Sequence, residues 1–166
     1  MGPSEIHFAA DRMLGRLARM LRLLGYDTLY ANDMTELLAV ARSGERVVLT
    51  RGKTAHRFPG LDKVLSLKSE YPPQQLREVV ERLGLDTRSG LWTRCTLCNA
   101  LIERVEKADV EALVDPKIFQ LYEEFYRCRG CRHVYWRGSH VERILKNLTV
   151  VLGGEKPGDC RLTIAD

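Results

Sequence analysis

The chain has 166 residues, 29% of them charged, and a formal net charge of +4. This length suits one domain of ordinary size plus a small appendage, and the modest positive charge permits nucleic-acid binding without requiring it. No apolar run reaches the roughly 18 residues of a membrane span, and the N-terminus lacks the layout of a secretory signal, so we expect a cytoplasmic protein without a membrane partner.

A buried strand followed by an amphipathic helix opens the chain. Ile6–Ala10 is a short apolar run that predicts the strand. Leucine and alanine then recur at three- and four-residue intervals up to Gly25, which is placed to end the helix. Arginines recur on another face of this helix, at Arg12, Arg16, Arg19 and Arg22. This arginine face is either a solvated surface or a track for RNA phosphates.

Three further strands and two further helices are predicted before residue 90. The strands are Tyr26–Tyr30, Val47–Leu49 and Leu61–Leu67. Asp33 is placed to cap the second helix, and Glu36 completes a capping box. The third helix begins at Pro72 and is closed by Gly84. Strands that alternate with helices predict an α/β fold with a parallel sheet flanked by helices.

Four cysteines form two pairs with metal-binding spacing. Two residues separate Cys95 from Cys98, and two separate Cys128 from Cys131. This spacing lets both thiolates of a pair reach one tetrahedral ion. A site closed by four thiolates has no open coordination position, so we expect a structural zinc ion in a zinc ribbon. The alternatives are disulfides or free buried thiols, and disulfides need an oxidising compartment, which nothing in the sequence supports.

The sequence predicts three regions along the chain. They are an α/β domain at residues 1–90, a zinc ribbon module at residues 91–148, and a C-terminal hairpin or tail at residues 149–166. Helices are predicted between the two cysteine pairs, at Glu103–Leu113 and Pro116–Tyr126. Strands at Leu148–Leu152 and Leu162–Ile164 are predicted to form the closing hairpin.

Acidic side chains follow the first two predicted strands, at the edge where open parallel sheets bind ligands. Asp11 follows the first strand, and Asp33 and Glu36 follow the second. Carboxylates that converge at such an edge hold hard cations such as Mg²⁺ or Mn²⁺, which activate water and stabilise charge on a phosphodiester. Each of the three acids also has a simpler explanation as part of a helix cap.

Several segments, between about residues 6 and 145, resemble the mut-seven C-terminal ribonuclease domain family. They are FAADRMLGRLARMLRLLGYDT at residues 8–28, ELL at residues 36–38, RVVLTR at residues 46–51, the first cysteine pair followed by Asn99, and the second pair followed by Val134-Tyr135-Trp136 and Gly138-Ser139-His140. The resemblance implies a PIN-like nuclease fold with an appended zinc ribbon. It also implies metal-dependent cleavage of RNA, with Asp11 as the leading ligand of the catalytic Mg²⁺ or Mn²⁺.

Gly52 departs from the pattern of this family, because the family motif at residues 49–51 usually continues with an aspartate. A further family acid usually stands just before the ELL motif, where this chain has Met34 and Thr35 and where Asp33 is the nearest acid. The departure leaves two functions open. One is a metal-dependent ribonuclease, and the other is a catalytically impaired RNA-binding protein on the same scaffold.

RNA, single-stranded or structured, is the expected partner for either function, and no particular oligomeric state is predicted. Basic side chains near the strand ends are the predicted contacts with RNA phosphates, namely Arg12, Arg16, Arg19, Arg51 and Lys53. Aromatic side chains of the ribbon, Tyr126, Tyr135 and Trp136, either stack on unpaired bases or pack the ribbon against the sheet. A third function is a protein-interaction adaptor whose ribbon docks a partner, and no feature of the sequence favours it strongly.

Overall fold

Four short parallel strands form the sheet of the first half of the chain. The computed structural model describes residue 2, residues 5–138 and residues 148–153. The strands are β1 (Phe8–Ala10), β2 (Thr28–Tyr30), β3 (Val47–Arg51) and β4 (Val64–Leu67). They lie in the order β2-β1-β3-β4, with Phe8 opposite Thr28 on one side and Val47 on the other. All four strands overlap the predicted ones, and the predicted parallel α/β sheet is confirmed.

Helices follow the strands as predicted. They are α1 (Gly15–Leu23), α2 (Met34–Ser43) and α3 (Pro72–Leu83). A 3₁₀ turn at Arg12–Leu14 precedes α1, and another at Gly52–Arg57 follows β3. Gly84 ends α3 in a left-handed conformation, as the sequence predicted. Across the described residues, no helix is both long enough and apolar enough to cross a bilayer.

The central strand β1 separates two hydrophobic cores, because alternate side chains of a strand point to opposite faces of the sheet. Phe8 belongs to the larger core, which includes apolar residues of α1 and α3, whereas Ala9 belongs to the smaller core, which includes residues of α2. The leucines of the helical segment that the sequence placed on one face, Leu14, Leu17, Leu21 and Leu24, are at most 1% exposed. Full burial of each contributes roughly 1.5–3 kcal/mol, so the apolar face of α1 is a main source of the stability of this sheet.

A three-stranded antiparallel sheet forms the second half of the chain. Its strands are β5 (Ile102–Val105), β6 (Phe125–Cys128) and β7 (Val134–Trp136), in that order. A 3₁₀ segment at Lys107–Leu113 and the helix α4 (Pro116–Leu121) connect β5 to β6.

The two helices predicted between the cysteine pairs are therefore partly wrong. The first residues of the predicted helix Glu103–Leu113 lie in β5, and the last residues of Pro116–Tyr126 lie in β6. These strands pair with each other, with Ile102 opposite Cys128 and Val105 opposite Phe125. Pairing of this kind overrides the local helical preference of a charged segment such as residues 103–106.

A short helix at residues 148–152 stands where one strand of the closing hairpin was predicted. Leu148 belongs to the larger core, and Leu152 packs against it. The strand predicted at Leu148–Leu152 is therefore wrong, and its predicted partner Leu162–Ile164 lies outside the described residues. The boundaries at residues 90 and 148 stay predictions.

Gly25 fixes the way in which α1 meets the second half of the chain. Its φ is +92°, and a Cβ atom placed on it would lie 2.2 Å from the carbonyl oxygen of Gly90. No L-amino acid with a side chain fits at this distance. The backbones of two regions that are far apart in sequence thus approach each other directly.

We expect Gly25→Ala to lower the free energy of unfolding by at least about 3 kcal/mol, because the Gly90 backbone must move. Gly44→Ala is the matched control, since Gly44 has a φ of +69° but no atom within 4 Å of the added Cβ. Its cost is the left-handed conformation alone, about 1–2 kcal/mol. Denaturant unfolding of both variants measures the difference, and equal losses would contradict the close approach.

Candidate functional site

Asp11 lies where the connections of the parallel sheet change direction. The chain passes from β1 to β2 on one side of the sheet, and from β3 to β4 on the other. In sheets with this strand order, ligands bind in the crevice between the carboxyl ends of β1 and β3. Asp11 follows β1 directly, and its N–H donates to the carbonyl of Leu49 in β3 at 2.9 Å. Its position is therefore the one that the topology favours for a ligand.

The carboxylate of Asp11 is buried and held in one orientation. The residue is 6% exposed. Thr50 Oγ1 donates to its Oδ2 at 3.1 Å, and the Met13 N–H donates to its Oδ1 at 3.2 Å. The second bond caps the 3₁₀ turn before α1, so the capping alternative is realised. An ionised carboxylate has about four acceptor positions, so two bonds leave capacity for a cation.

Asp33 caps α2 as predicted, but the capping box is incomplete, because the Glu36 carboxylate accepts from the N–H of Asn32 rather than from that of Asp33. The Glu36 N–H donates to Asp33 Oδ1 at 2.9 Å, and the Asn32 N–H donates to Glu36 Oε2 at 2.8 Å. Among the described residues, the four cysteines are the only group of three or more acidic, imidazole or thiol side chains close enough to share one ion. The structure thus does not bring Asp11, Asp33 and Glu36 together as a single cluster.

Three of the predicted phosphate-binding arginines line one groove beside Asp11. Arg12, Arg16 and Arg19 are exposed, and the groove has a volume of about 510 Å³. Spacings of four and three residues put them on one side of the helical segment. In the part of the chain that the structure describes, none of their guanidinium groups has an acidic partner. We call this surface the arginine groove.

The last residue of β3 and the turn after it carry the other two predicted phosphate-binding residues. Arg51 forms an ion pair with Glu70, which also lines the arginine groove, so the charge of Arg51 is partly balanced. Lys53 is exposed. Gly52 has a φ of +60°, and no atom lies within 4 Å of the place that a Cβ would take. The site therefore has room for the acid that the family pattern has here.

Arg22 does not belong to the arginine surface, and the prediction that grouped it with Arg12, Arg16 and Arg19 is wrong for this residue. It is 7% exposed. Its Nε donates to the Thr28 carbonyl at 2.9 Å, and its Nη1 donates to the carbonyls of Leu97 at 2.9 Å and Thr96 at 3.2 Å. Burial lowers the pKa of its guanidinium, which nevertheless stays charged. Arg22 thus links α1 and β2 to the loop of the first cysteine pair.

Asn99 and Asp27 add a second link between the same two regions. Asn99 Oδ1 accepts from the Thr28 N–H at 3.0 Å, and its Nδ2 donates to Asp27 Oδ1 at 2.9 Å. Burial alone would raise the pKa of Asp27, but the hydrogen bonds from Arg46 and Asn99 and the nearby charges of Arg46 and Arg94 lower it. The carboxylate is therefore charged at neutral pH and holds the loop of the first cysteine pair against the start of β2.

The four cysteines converge in a way that fits a tetrahedral metal ion. Their Sγ atoms all lie within 4.8 Å of one another. Cys95 and Cys131 are 3.6 Å apart, and Cys98 and Cys128 are 3.3 Å apart, so none of them is in a disulfide. A tetrahedron with Zn–S bonds of about 2.3 Å has sulfur–sulfur edges of about 3.8 Å. The predicted four-cysteine site is present, and it could bind zinc.

The protonation of the thiols makes metal binding by the four cysteines depend on pH. Desolvation would raise the pKa of Cys98, but hydrogen bonds from the Ala100 backbone and from Cys128 lower it to about 6. Desolvation raises the pKa of Cys128, and it raises that of Cys131 to about 12. The Cys98 thiolate is thus stabilised beside the protonated thiols of Cys128 and Cys131. A metal ion that binds all four sulfurs must displace the remaining protons, so its affinity falls as the pH falls.

All three aromatic side chains predicted either to stack or to pack have packing contacts within the ribbon. Tyr126 is 4% exposed. The Tyr135 hydroxyl lies 3.0 Å from Cys95 Sγ, and burial raises its pKa, so it stays protonated and donates to the sulfur. Tyr135 and Trp136 are both half-buried, and Trp136 packs against the core residues Val110, Phe125 and Val134. The packing alternative therefore describes all three, although Tyr135 and Trp136 keep part of their surface exposed.

The sequence analysis did not identify three residues that contact the candidate site, namely Thr50, Glu70 and Trp92. Thr50, which donates to Asp11, lies in the RVVLTR segment, so its place at the end of β3 was predictable from the sequence. Glu70 and Trp92 had no local signal, because their positions at the arginine groove and against Leu23 depend on how distant segments pack.

These features define a class of protein: a parallel α/β domain with a buried acid at its switch point, joined to a four-cysteine metal-binding module. The Mut7-C RNAse domain family matches residues 6–148, and the chain belongs to this family. It is also 33% identical over 97 residues to the human protein "Exonuclease mut-7 homolog", a match that covers 54% of this chain. The chain spans only 11% of the length of that human relative. Membership in this family indicates a nuclease-like role.

We expect the purified wild-type chain to contain about one zinc ion, and Tyr135→Phe to keep this stoichiometry but bind zinc about tenfold more weakly. The reason is that hydrogen bonds to metal ligands contribute on this scale. Competition with a colorimetric chelator at neutral pH measures the affinity. Cys98→Ser is the control that loses the ion, and an unchanged affinity in Tyr135→Phe would show that the hydroxyl does not support the site.

Proposed function

We propose that this chain is a metal-dependent ribonuclease that hydrolyses RNA phosphodiesters, with a structural zinc ribbon. The observation that carries the proposal is the buried, doubly hydrogen-bonded carboxylate of Asp11 at the sheet switch point, next to the arginine groove. A fixed anion beside a cationic track suits a substrate that must be held by its phosphates. Thiols retained as zinc ligands rather than disulfides also support a reducing compartment such as the cytoplasm.

A single carboxylate is compatible with Mg²⁺ or Mn²⁺. Mg²⁺ typically keeps several waters and takes one or two carboxylates together with phosphate oxygens of the substrate. Asp11 supplies one such ligand, and Asp33 or Glu36 would have to leave its capping bonds to supply another. When bound, the ion would lower the pKa of a coordinated water and offset charge on the phosphodiester.

The residues around Asp11 orient it and hold the RNA. Thr50 fixes the plane of the carboxylate through its hydroxyl. Arg12, Arg16 and Arg19 contact successive phosphates of the RNA along the arginine groove. Arg51, at the end of β3, and Lys53, in the turn that follows, also contact the RNA. Arg51 exchanges Glu70 for a phosphate when RNA binds, which keeps its charge compensated in both states.

We expect Asp11→Asn to reduce Mn²⁺-dependent cleavage of labelled RNA by about 100-fold or more, the scale seen when one group that stabilises developing charge is removed. Asp33→Asn is the matched control, because asparagine caps a helix as well as aspartate but has no charge. Cleavage is compared with Mn²⁺ added or left out, rather than with EDTA, which would also remove zinc. Cleavage by Asp11→Asn at the wild-type rate would contradict the proposal, and a loss in Asp33→Asn would add Asp33 to the catalytic acids.

A second function, RNA binding without efficient cleavage, is favoured by one specific observation. Gly52 leaves the end of β3 without an acidic side chain, and no described acid joins Asp11 in a three-ligand cluster. Such a protein would keep the arginine groove and lose hydrolysis. The two functions therefore differ in what an acid at position 52 would do.

If the chain is an impaired nuclease, we expect Gly52→Asp to gain metal-dependent cleavage over the wild type. The open space at this position admits the side chain, and aspartate tolerates a positive φ better than most residues. Gly52→Asn has the same shape without the charge and is the control. A gain in Gly52→Asp alone would identify the binding function, whereas wild-type cleavage that Gly52→Asp does not increase would identify a nuclease that works with the existing acids.

A further inference from the structure

A second, mostly apolar pocket lies between α1 and the second half of the chain. Its volume is about 460 Å³, within the range of pockets that bind small ligands. Both tryptophans of the chain line it. The lining residues that matter here are Arg19 and Met20 from α1, and Trp92, His133, Tyr135 and Trp136 from the second half. We call it the aromatic pocket.

Arg19 belongs to both the aromatic pocket and the arginine groove. Helical residues rise about 1.5 Å each, so Arg12 and Arg19 are separated by roughly 10 Å along the helical segment. The groove therefore leads from the neighbourhood of Asp11 to the mouth of the pocket. A strand whose phosphates follow the groove reaches the pocket within a few nucleotides.

Trp92 brings an unused hydrogen-bond donor to this region. Its indole N–H is buried, and among the described residues it has no hydrogen-bond partner. A buried donor without an acceptor costs free energy. Nucleobases carry ring nitrogens and carbonyl oxygens that accept hydrogen bonds, and their faces stack on aromatic side chains.

We propose that the aromatic pocket binds one unpaired nucleobase of the RNA, a few nucleotides away from the phosphate at Asp11. This inference rests on the proposed function. Arg19 holds the phosphate of the bound nucleotide at the mouth of the pocket, and Trp136 provides the stacking surface. A base inside a duplex cannot enter the pocket without leaving its partner and its stack. The pocket therefore selects single-stranded segments over duplex RNA.

The two tryptophans make the first test direct, because their fluorescence reports on the pocket. Titration of the zinc-loaded chain with AMP is expected to change the emission saturably. Trp136→Phe, which keeps an aromatic face, is expected to preserve the binding, and Trp136→Leu, which keeps only apolar volume, is expected to weaken it. The zinc content of each variant shows whether its ribbon is folded. If Trp136→Leu loses zinc, the AMP titration is repeated with His133→Ala, a change at the exposed edge of the pocket that is also expected to weaken the binding of AMP.

The second test compares two RNA strands that carry the same number of phosphates, without added Mg²⁺ or Mn²⁺. One is a short single strand, and the other is the same strand with abasic sites. We expect the intact strand to bind about tenfold or more tightly than the abasic one. Trp136→Leu should remove this difference, whereas Arg16→Ala, which lies on the groove but not in the pocket, should weaken both strands equally.

The outcomes separate the pocket from the ribonuclease proposal. Equal binding of intact and abasic strands, with metal-dependent cleavage intact, would overturn the base pocket and leave the ribonuclease function standing. If neither strand binds and none is cleaved, the ribonuclease function fails. The AMP titration then decides the pocket by itself, because an emission that does not respond would overturn it.

Discussion

The loop between Cys95 and Cys98 holds the two halves of the chain together. Its carbonyls accept from the buried Arg22, and Asn99 beside it pairs with Thr28 and Asp27. These are directional polar bonds that require the loop to keep one conformation. The two cysteines that bracket the loop are ligands of the four-cysteine site. A metal ion held by the four cysteines would therefore stabilise more than the ribbon, because it would fix the surface on which α1 and β2 dock.

The charge of Arg22 is compatible with its burial for the same reason. An isolated buried guanidinium is costly, and burial does lower the pKa of this one, but the nearby sulfurs of Cys95 and Cys98 act in the opposite direction. Zinc held by four thiolates is dianionic, so a nearby buried cation compensates the cluster while its donors satisfy three carbonyls. One helix thus performs three tasks. Its leucines build the core, its exposed arginines line a groove, and Arg22 connects the sheet to the metal site.

The sequence predicted the parts of the molecule that local patterns encode. Periodic leucines predicted α1, the spacing of cysteines predicted the metal cluster, and Asp11 was placed correctly after the first strand. Prediction from the sequence failed where the surroundings of a residue depend on distant segments. Arg22 continues the helical spacing of Arg16 and Arg19, but it is buried because the loop of the first cysteine pair docks on it, whereas Arg19 is exposed. Likewise, residues 102–105 form a strand because they pair with β6. The conformational preferences of the residues themselves do not indicate this pairing.

Among the described residues no three-acid cluster includes Asp11, and this has a consequence for how the proposed metal site would work. Two or three carboxylates can hold a divalent cation before substrate arrives, but their mutual repulsion must then be offset by that cation. A lone carboxylate avoids the repulsion, and its affinity for Mg²⁺ is correspondingly low without further oxygen ligands. If the chain acts as the proposed ribonuclease, the phosphates that the arginine groove brings to Asp11 would be such ligands. Metal and RNA would then bind cooperatively, and a catalytically competent site would form only on RNA. Under that proposal the arginine groove helps to assemble the site as well as to hold the RNA strand.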